Sequence, residues 1–213
     1  MNIVLIGASG MVGSAIRDEA LARRHQVTAI VRHPEKITVK SNLLKVAQGD
    51  VLKDKVDDLV RGHEAVISAY NPGWTNPNIA DDTLKAYKAI IDGVKKAKVP
   101  RLLVVGGAGS LEVSPGVQLI ETMQVPGLIR SAILALRQVL YNLREEKNLD
   151  WTFLSPAASF VPGTRTGHFR LGKDQVVKDA KGESKISVQD YAVAMIDEME
   201  KPKHSKQRFT LAY

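Results

Sequence analysis

Cysteine is absent from the chain of 213 residues, and its absence excludes disulfide bonds, thiolate catalysis and cysteine-ligated metal. The same absence fits a cytoplasmic protein. The five histidines are scattered without the spacing of metal ligands, so we expect no bound metal. Long apolar runs are also lacking: none approaches the ~18 residues of a membrane span, and the chain begins directly with a predicted strand. We therefore expect neither a membrane segment nor a signal peptide.

Acidic residues are outnumbered by basic ones, which gives a formal net charge of +7. The basic side chains are interleaved with acids along most of the chain, so the pattern does not favour a nucleic-acid partner. Attraction of a polyanionic small molecule is the better functional use of this charge. Hydrophobic residues make up 44% and charged residues 25%, as in an ordinary globular protein, and the length favours one domain over residues 1–213.

The N-terminal segment combines a short apolar run, three glycines and an amphipathic pattern. Residues 3–6 predict a buried strand, and the pattern from Val12 onward predicts a helix. Between them lies G-x-x-G-x-x-G, with Gly7, Gly10 and Gly13 at the glycine positions. Glycines there allow a tight turn and a close approach of the backbone to a pyrophosphate, which the helix N-terminus attracts. The segment therefore predicts a dinucleotide-binding loop.

The residue after the second predicted strand indicates which dinucleotide is bound. An acid at this position would bind the ribose 2′-hydroxyl of NAD, whereas an arginine suits the 2′-phosphate of NADP. Arg32 follows the strand at 26–31, and the first acid after it is Glu35. We therefore expect NADP(H) to be favoured over NAD(H).

Strands and helices alternate along the first 154 residues. Strands are predicted at 3–6, 26–31, 43–47, 65–68, 101–105 and 150–154, with a short helix at 53–60 and long helices at 79–98 and from Pro126 onward. This order predicts a Rossmann-type, doubly wound α/β fold: a mainly parallel sheet with helices on both faces. A small C-terminal extension, from about 156 to 213, would contribute a lobe on the substrate side.

The C-terminal segment differs in composition from the alternating strands and helices before it. Residues 163–172 are rich in glycine, threonine and arginine, which predicts a flexible loop over the site, and 175–177 is a candidate for a short strand. Ser187-x-x-Asp190 predicts the start of a helix, and residues 208–213 predict a last strand.

Residues at the C-terminal ends of the predicted strands are candidates for the site, because ligands of open α/β sheets bind there. Asp50 and Val51 would lie under the adenine, although Asp50 would equally serve to cap the helix at 53–60. Tyr70 and Trp74 would stack on a planar substrate or simply cover the loop. In the run 106–110, Gly107 would let the cofactor approach the backbone and Ser110 would offer a catalytic hydroxyl, unless the run is only a tight glycine turn.

The whole chain resembles the atypical short-chain dehydrogenase/reductase superfamily, and within it the NADH-flavin reductase proteins related to biliverdin reductase B. The resemblance lies in the glycine loop, Val31-Arg32, and the runs 49–51, 105–110, 150–157 and 182–192. It implies that the dinucleotide is contacted by Gly7, Ala8, Ser9, Gly10, Met11, Val12, Gly13, Arg32, Asp50, Val51, Ser68, Ala69, Tyr70, Pro156 and Ala157. We expect the substrate to be contacted by Tyr70, Trp74, Ser110 and Phe160.

One motif of ordinary short-chain dehydrogenases is missing. They use Tyr-x-x-x-Lys as an acid/base pair, whereas Tyr141 is followed four residues later by Glu145. The loop after the sixth strand carries Ala157-Ala158 where the biliverdin reductase B relatives have a histidine. The sequence therefore favours a reductase that passes hydride from NADPH to a flavin-like or quinone-like planar acceptor, with FMN or FAD as a substrate. A non-catalytic NADP sensor resembling the NmrA-type regulators is the alternative, and the protein is expected to be a monomer or homodimer.

Overall fold

The computed structural model describes residues 1–213 and contains twelve strands and six helices. The strands are β1 (Asn2–Ile6), β2 (Gln26–Val31), β3 (Leu44–Gln48), β4 (Ala65–Ser68), β5 (Arg101–Val105), β6 (Glu112–Ser114), β7 (Val117–Gln118), β8 (Asp150–Ser155), β9 (Ser159–Val161), β10 (Arg170–Gly172), β11 (Lys185–Ser187) and β12 (Gln207–Ala212). The helices are α1 (Met11–Ala22), α2 (Val56–Val60), α3 (Ile79–Lys96), α4 (Leu119–Thr122), α5 (Gly127–Glu145) and α6 (Val188–Glu200).

Eight strands form one central sheet in the order β10-β12-β8-β5-β4-β1-β2-β3. Every neighbouring pair is parallel except β10 and β12, which are antiparallel. In β1, Ile3 pairs with Val27 on one side and with Ala65 on the other. The strand order reverses at β1, which places a crevice outside the carboxyl ends of β1 and β4.

Helices cover both faces of the sheet, and each face has its own hydrophobic core. Successive residues of β1 point to opposite faces, so Ile3 and Leu5 pack under α1 and α6, whereas Val4 and Ile6 pack under α2, α3 and α5. Parallel strands buried on both faces have continuous apolar sequences, and this explains why β1, β2 and β4 could be found in the sequence. The structure confirms the Rossmann-type, mainly parallel fold with helices on both faces.

The long elements have nearly their predicted bounds, and several short ones were not predicted. The bounds of β2, β4 and β5 agree with the prediction, while α2 starts at Val56 rather than at residue 53. The predicted strand at 175–177 is wrong: Gln175 forms only an isolated bridge to Glu112. Five strands of two or three residues (β6, β7, β9, β10, β11) were missed because such short segments show no periodicity.

The segment at 163–172 does not lie over the site, so that prediction is wrong. Arg165 forms an ion pair with Glu19 of α1 at 2.7 Å, and the backbone N–H groups of Thr166 and Gly167 donate to the carboxylate of Asp190 in α6. The segment is therefore held by polar contacts against α1 and α6. No helix of the structure has both the length and the apolar character needed to cross a bilayer.

Candidate functional site

Three glycines form a tight loop at the end of β1, and each has a different structural role. Gly7 adopts φ +82°, and a Cβ there would lie 2.6 Å from the carbonyl oxygen of Ala69. A Cβ on Gly13 would lie 2.1 Å from the carbonyl oxygen of Gly7. A Cβ on Gly10 would meet nothing closer than 3.5 Å. The fold therefore requires glycine at positions 7 and 13, and it leaves open space in front of Gly10.

The N-terminus of α1 faces that space without a cap. Gly10 precedes the helix, no side chain caps this end, and no acid lies in the first turn. The first N–H groups of a helix have no partner within it, and together they carry about half a positive charge. Open space beside unpaired N–H groups fits a pyrophosphate, so the N–H groups of Met11, Val12 and Gly13 are the donors available to hold one.

Arg32, directly after β2, lines a cavity of about 240 Å³ that also reaches Gly7, Ser9 and Gly10 of the glycine loop. Its guanidinium is exposed and has no carboxylate within ion-pair distance. His33 and Lys36 line the same cavity, and the sequence reasoning missed both. Both follow Arg32 within four residues of the sequence, and this proximity is the signal that could have found them. His33 contacts the Glu35 carboxylate at 3.2 Å and Asp50 lines the same cavity, so Arg32 and Lys36 are the cations there that have no carboxylate within ion-pair distance.

Asp50 and Val51 line the same cavity at the end of β3, although Asp50 does not cap α2. The helix begins at Val56, behind Lys55, and has no side-chain cap. The Asp50 carboxylate instead accepts a bond from the backbone N–H of Leu52 at 3.1 Å. The capping alternative is therefore wrong, and Asp50 stays at the cavity wall.

Tyr70 lies between this cavity and a second, larger one. Both cavities are lined by Gly10, Ala69, Tyr70 and Asn71, so they adjoin each other along these residues, and we refer to the two together as the groove. The Tyr70 ring meets Tyr87 edge to face with centroids 6.3 Å apart. Its hydroxyl is buried without a hydrogen-bond partner, and burial raises the pKa of Tyr70 to about 12. Tyr70 therefore stays neutral near pH 7 and is a poor proton donor.

The larger cavity has a volume of about 640 Å³, and 15 of its 25 lining residues are hydrophobic. It is bounded by the glycine run after β5, by α4 and α5, and by the loop after β8. Trp74, which is 59% exposed, lies at its edge, and Phe160 lines it while packing against Tyr191 at 4.8 Å. Gly107 and Pro156 also face this cavity. The walls suit a planar apolar ring.

Ser110 lines the larger cavity and is held from behind by Arg208 of β12, which the sequence reasoning missed. The Nη1 of Arg208 donates to the Ser110 Oγ at 3.3 Å and to the Ser155 Oγ at 3.4 Å. The guanidinium is buried and is paired with Asp174, although burial lowers the pKa of Arg208. A guanidinium can only donate, so the Ser110 hydroxyl accepts from it and keeps its own hydrogen free. No nearby sequence signal pointed to a residue 98 positions away.

Three expected contact residues do not line either cavity. Ala8, Ser68 and Ala157 are each at most 1% exposed. The Ser68 hydroxyl accepts a bond from the backbone N–H of Tyr70 at 3.4 Å, so it supports the loop rather than a ligand. The other expected residues, listed here in chain order, face the groove: Gly7, Ser9, Gly10, Met11, Val12, Gly13, Arg32, Asp50, Val51, Ala69, Tyr70, Trp74, Gly107, Ser110, Pro156 and Phe160.

The larger cavity contains no acid/base pair. Tyr70 and Arg137 are its only ionisable lining residues. Tyr141 accepts a hydrogen bond from the Gln118 side chain at 2.8 Å and does not line the cavity. The arrangement can position two flat groups against each other, but it offers no side chain to carry a proton at neutral pH.

The sheet is doubly wound, and a glycine loop followed by the uncapped N-terminus of α1 lies where the strand order reverses. This combination defines the class of dinucleotide-binding proteins. Residues 7–202 match the family described as NAD(P)H-binding, which is most of the chain. The chain belongs to this NAD(P)H-binding family.

The chain is similar to several bacterial proteins over its whole length. A solved structure from Bacteroides thetaiotaomicron, described as a candidate epimerase, is 54% identical with a TM-score of 0.93 over 100% of this chain and 96% of that one. A candidate NADH-flavin reductase from Streptococcus pneumoniae is 36% identical with a TM-score of 0.86 over 100% and 99% of the two chains. YwnB of Bacillus subtilis strain 168, a protein described as uncharacterized, is 40% identical over 99% of this chain and 98% of its own.

Proposed function

We propose that the protein is an NADPH-preferring reductase that passes hydride directly to a flavin-like or quinone-like planar acceptor. One observation carries the proposal: the cavity beside the glycine loop adjoins, at Tyr70, a mostly hydrophobic cavity that lacks an acid/base pair. Reduction of a carbonyl to an alcohol needs a proton donor at the reacting oxygen. A flavin or quinone spreads the added charge over its ring system and does not need one.

The preference for NADPH is supported by the charges at the Arg32 end of the groove. Arg32 has no carboxylate partner, and His33 and Lys36 line the same cavity. A 2′-phosphate there would gain charge-assisted hydrogen bonds, each contributing about 1.5–3 kcal/mol. NADH lacks that phosphate, so its kcat/KM should be lower by about 10-fold or more.

The chain's part in the reaction is positioning. A bound nicotinamide would supply a hydride, that is one hydrogen with two electrons, and the reduced acceptor would then take up one proton from solvent. The α1 amide groups and the open space at Gly10 would hold the pyrophosphate, and this would direct the nicotinamide end of the cofactor towards the larger cavity. Phe160 and Trp74 confine the acceptor ring against it, and the free hydrogen of the Ser110 hydroxyl donates to an acceptor oxygen or nitrogen.

Steady-state oxidation of NADPH and of NADH with FMN, FAD and quinones tests the proposal. We expect turnover well above the rate in free solution, with NADPH favoured. The measurement is the initial rate of absorbance loss at 340 nm, the absorption wavelength of the reduced nicotinamide, taken as a function of protein concentration. Lowering the barrier by about 6 kcal/mol would already raise the rate over the free-solution reaction by a factor near 10⁴. A rate that does not rise with protein for any acceptor would overturn the catalytic role.

A non-catalytic NADP sensor of NmrA type is the second candidate, and the absent acid/base pair favours it as well. It predicts tight binding of NADP⁺ and NADPH with similar affinity, no turnover, and a protein partner in pull-down experiments. An epimerase activity, as suggested for the relative from Bacteroides thetaiotaomicron, would need proton donors and acceptors beside the substrate. The cavity supplies neither, so we do not carry it further.

A further inference from the structure

Arg137 is the only charged residue that lines the acceptor cavity. It lies on α5 directly after Leu136, the side chain that packs over Gly107 in the glycine run after β5. The cavity wall formed by α5 is therefore apolar up to Arg137 and cationic there. Arg137 is half-buried, so part of its guanidinium stays accessible from the cavity.

The guanidinium of Arg137 has structural supports but no acid. Its Nη1 donates to the Gln118 Oε1 at 2.9 Å, and its carbon lies 5.8 Å from the centre of the Tyr141 ring. The Gln118 Nε2 in turn donates to the Tyr141 hydroxyl at 2.8 Å, which fixes the amide orientation. The acid nearest in sequence to Gln118, Glu121, accepts a bond from the Gln118 backbone N–H and forms no ion pair with Arg137.

Most of the hydrogen-bonding capacity of Arg137 is therefore unused. A guanidinium has five N–H donors, and only the bond to Gln118 is formed. Gln118 and Tyr141 hold the side chain in place, so its fork is oriented before a ligand arrives. An oriented, unpaired guanidinium recognises a carboxylate or a phosphate through two parallel bonds.

We infer that the acceptor is an anion: a planar ring with a carboxylate or phosphate substituent that Arg137 binds. The inference rests on the proposed function and narrows its substrate class. It predicts a higher affinity for FMN than for riboflavin, which has the same ring but lacks the phosphate. It likewise predicts a higher affinity for a carboxylated quinone than for the parent quinone. Arg137 is thus a specificity residue for the acceptor, at the opposite end of the groove from the Arg32 cation.

Binding in the presence of NADP⁺ tests this without turnover. Flavin fluorescence titrations should give FMN a dissociation constant about 10- to 100-fold below that of riboflavin. Arg137→Met should remove the difference and Arg137→Lys should keep most of it. Arg130→Met is the matched control: Arg130 lies on the same helix and donates to the Ile120 carbonyl at 3.1 Å, but it does not line the cavity.

The outcomes separate this inference from the proposed function. Equal affinity of the native protein for FMN and riboflavin, together with equal affinity for the paired quinones, would overturn the anion inference while leaving a reductase intact. A preference for anions lost in Arg137→Met, but with no NADPH oxidation, would support the anion site and overturn the reductase. A preference seen only for the carboxylated quinone supports a carboxylate acceptor, and one seen only for FMN supports a phosphate.

Discussion

Ser110 is the residue whose role in the reaction can be tested most directly. Its hydroxyl accepts from Arg208, its hydrogen has no acceptor within the protein, and the residue lines the larger cavity. We expect Ser110→Ala to lower kcat about 10-fold, because one hydrogen bond to the acceptor of roughly 1.5 kcal/mol is lost. The KM for NADPH should not change. The control is Ser114→Ala, at the exposed position of strand β6. An unchanged kcat in Ser110→Ala would show that the Ser110 hydroxyl has no part in the reaction.

Alanine at Gly10 and alanine at Gly13 should have opposite effects on folding stability and cofactor binding, although the two positions lie three residues apart. Gly10→Ala meets only the Gly7 carbonyl at 3.5 Å, in a backbone region any residue adopts, so its free energy of unfolding should change by less than about 1 kcal/mol. The new methyl would occupy the open space in front of α1, so NADP⁺ affinity should fall about 10-fold or more. Gly13→Ala should instead destabilise the fold, because its Cβ would lie 2.1 Å from an oxygen.

Thermal unfolding and NADP⁺ titration of both variants separate fold from binding. A Gly10→Ala protein that binds NADP⁺ as tightly as the native chain would show that the space in front of α1 is not the pyrophosphate site. A marked loss of stability in Gly10→Ala would show that the position serves packing instead.

At the scale of elements, the start of α6 anchors the segment that the sequence suggested was a free loop. The Ser187 hydroxyl accepts from the Asp190 N–H, as the Ser-x-x-Asp pattern predicted. The Asp190 carboxylate then accepts from the Thr166 and Gly167 backbone, the Thr166 hydroxyl and the Tyr213 hydroxyl. Glycine and threonine content indicates turns, but it does not reveal a distant carboxylate that satisfies their N–H groups.

Asp190→Asn should therefore destabilise the protein by roughly 2–3 kcal/mol, since an amide cannot accept all four bonds. Burial alone would raise the pKa of Asp190, but the bonds from Thr166, Gly167 and Tyr213 hold it below the ordinary value. A lowered pKa in the folded state means that the unfolded chain takes up the proton first. The stabilisation is thus present above about pH 4 and is lost as the pH falls further.

Urea unfolding at pH 7 and at pH 3 measures both effects. The native chain should lose stability between these values, and Asp190→Asn should lose less because its contribution is already gone. Asp58→Asn, at an exposed position of α2, is the control. Equal urea midpoints for native and Asp190→Asn proteins at pH 7 would contradict the anchoring role.

At the scale of the whole molecule, the sequence predicted what is encoded locally. Apolar runs identified β1, β2, β4, β5 and β8, and the glycine spacing located the dinucleotide loop next to β1. Contacts between distant segments were not predictable. Arg208 reaches Ser110 across 98 positions, and Arg137 of α5 meets Gln118 of β7 across 19 positions. The cofactor half of the groove lies in consecutive βα units, whereas the acceptor half is assembled from the loops after β4, β5 and β8 together with residues of α3, α4 and α5.

Ligand-linked stability tests the cofactor half without any assumption about turnover. NADP⁺ at 100 times its Kd should stabilise the fold by about 2.7 kcal/mol, which corresponds to a Tm rise of about 5–10 °C for a chain of this size. NAD⁺ at the same concentration should give only roughly 1–5 °C, because it lacks the phosphate that Arg32 would bind. Arg32→Ala should reduce the NADP⁺ effect to that of NAD⁺, whereas Arg61→Ala, on the surface beyond both cavities, should not. Equal rises for the two dinucleotides in the native protein would mean that Arg32 is an ordinary surface arginine, and its unpaired charge at that end of the groove would then have no part in choosing the cofactor.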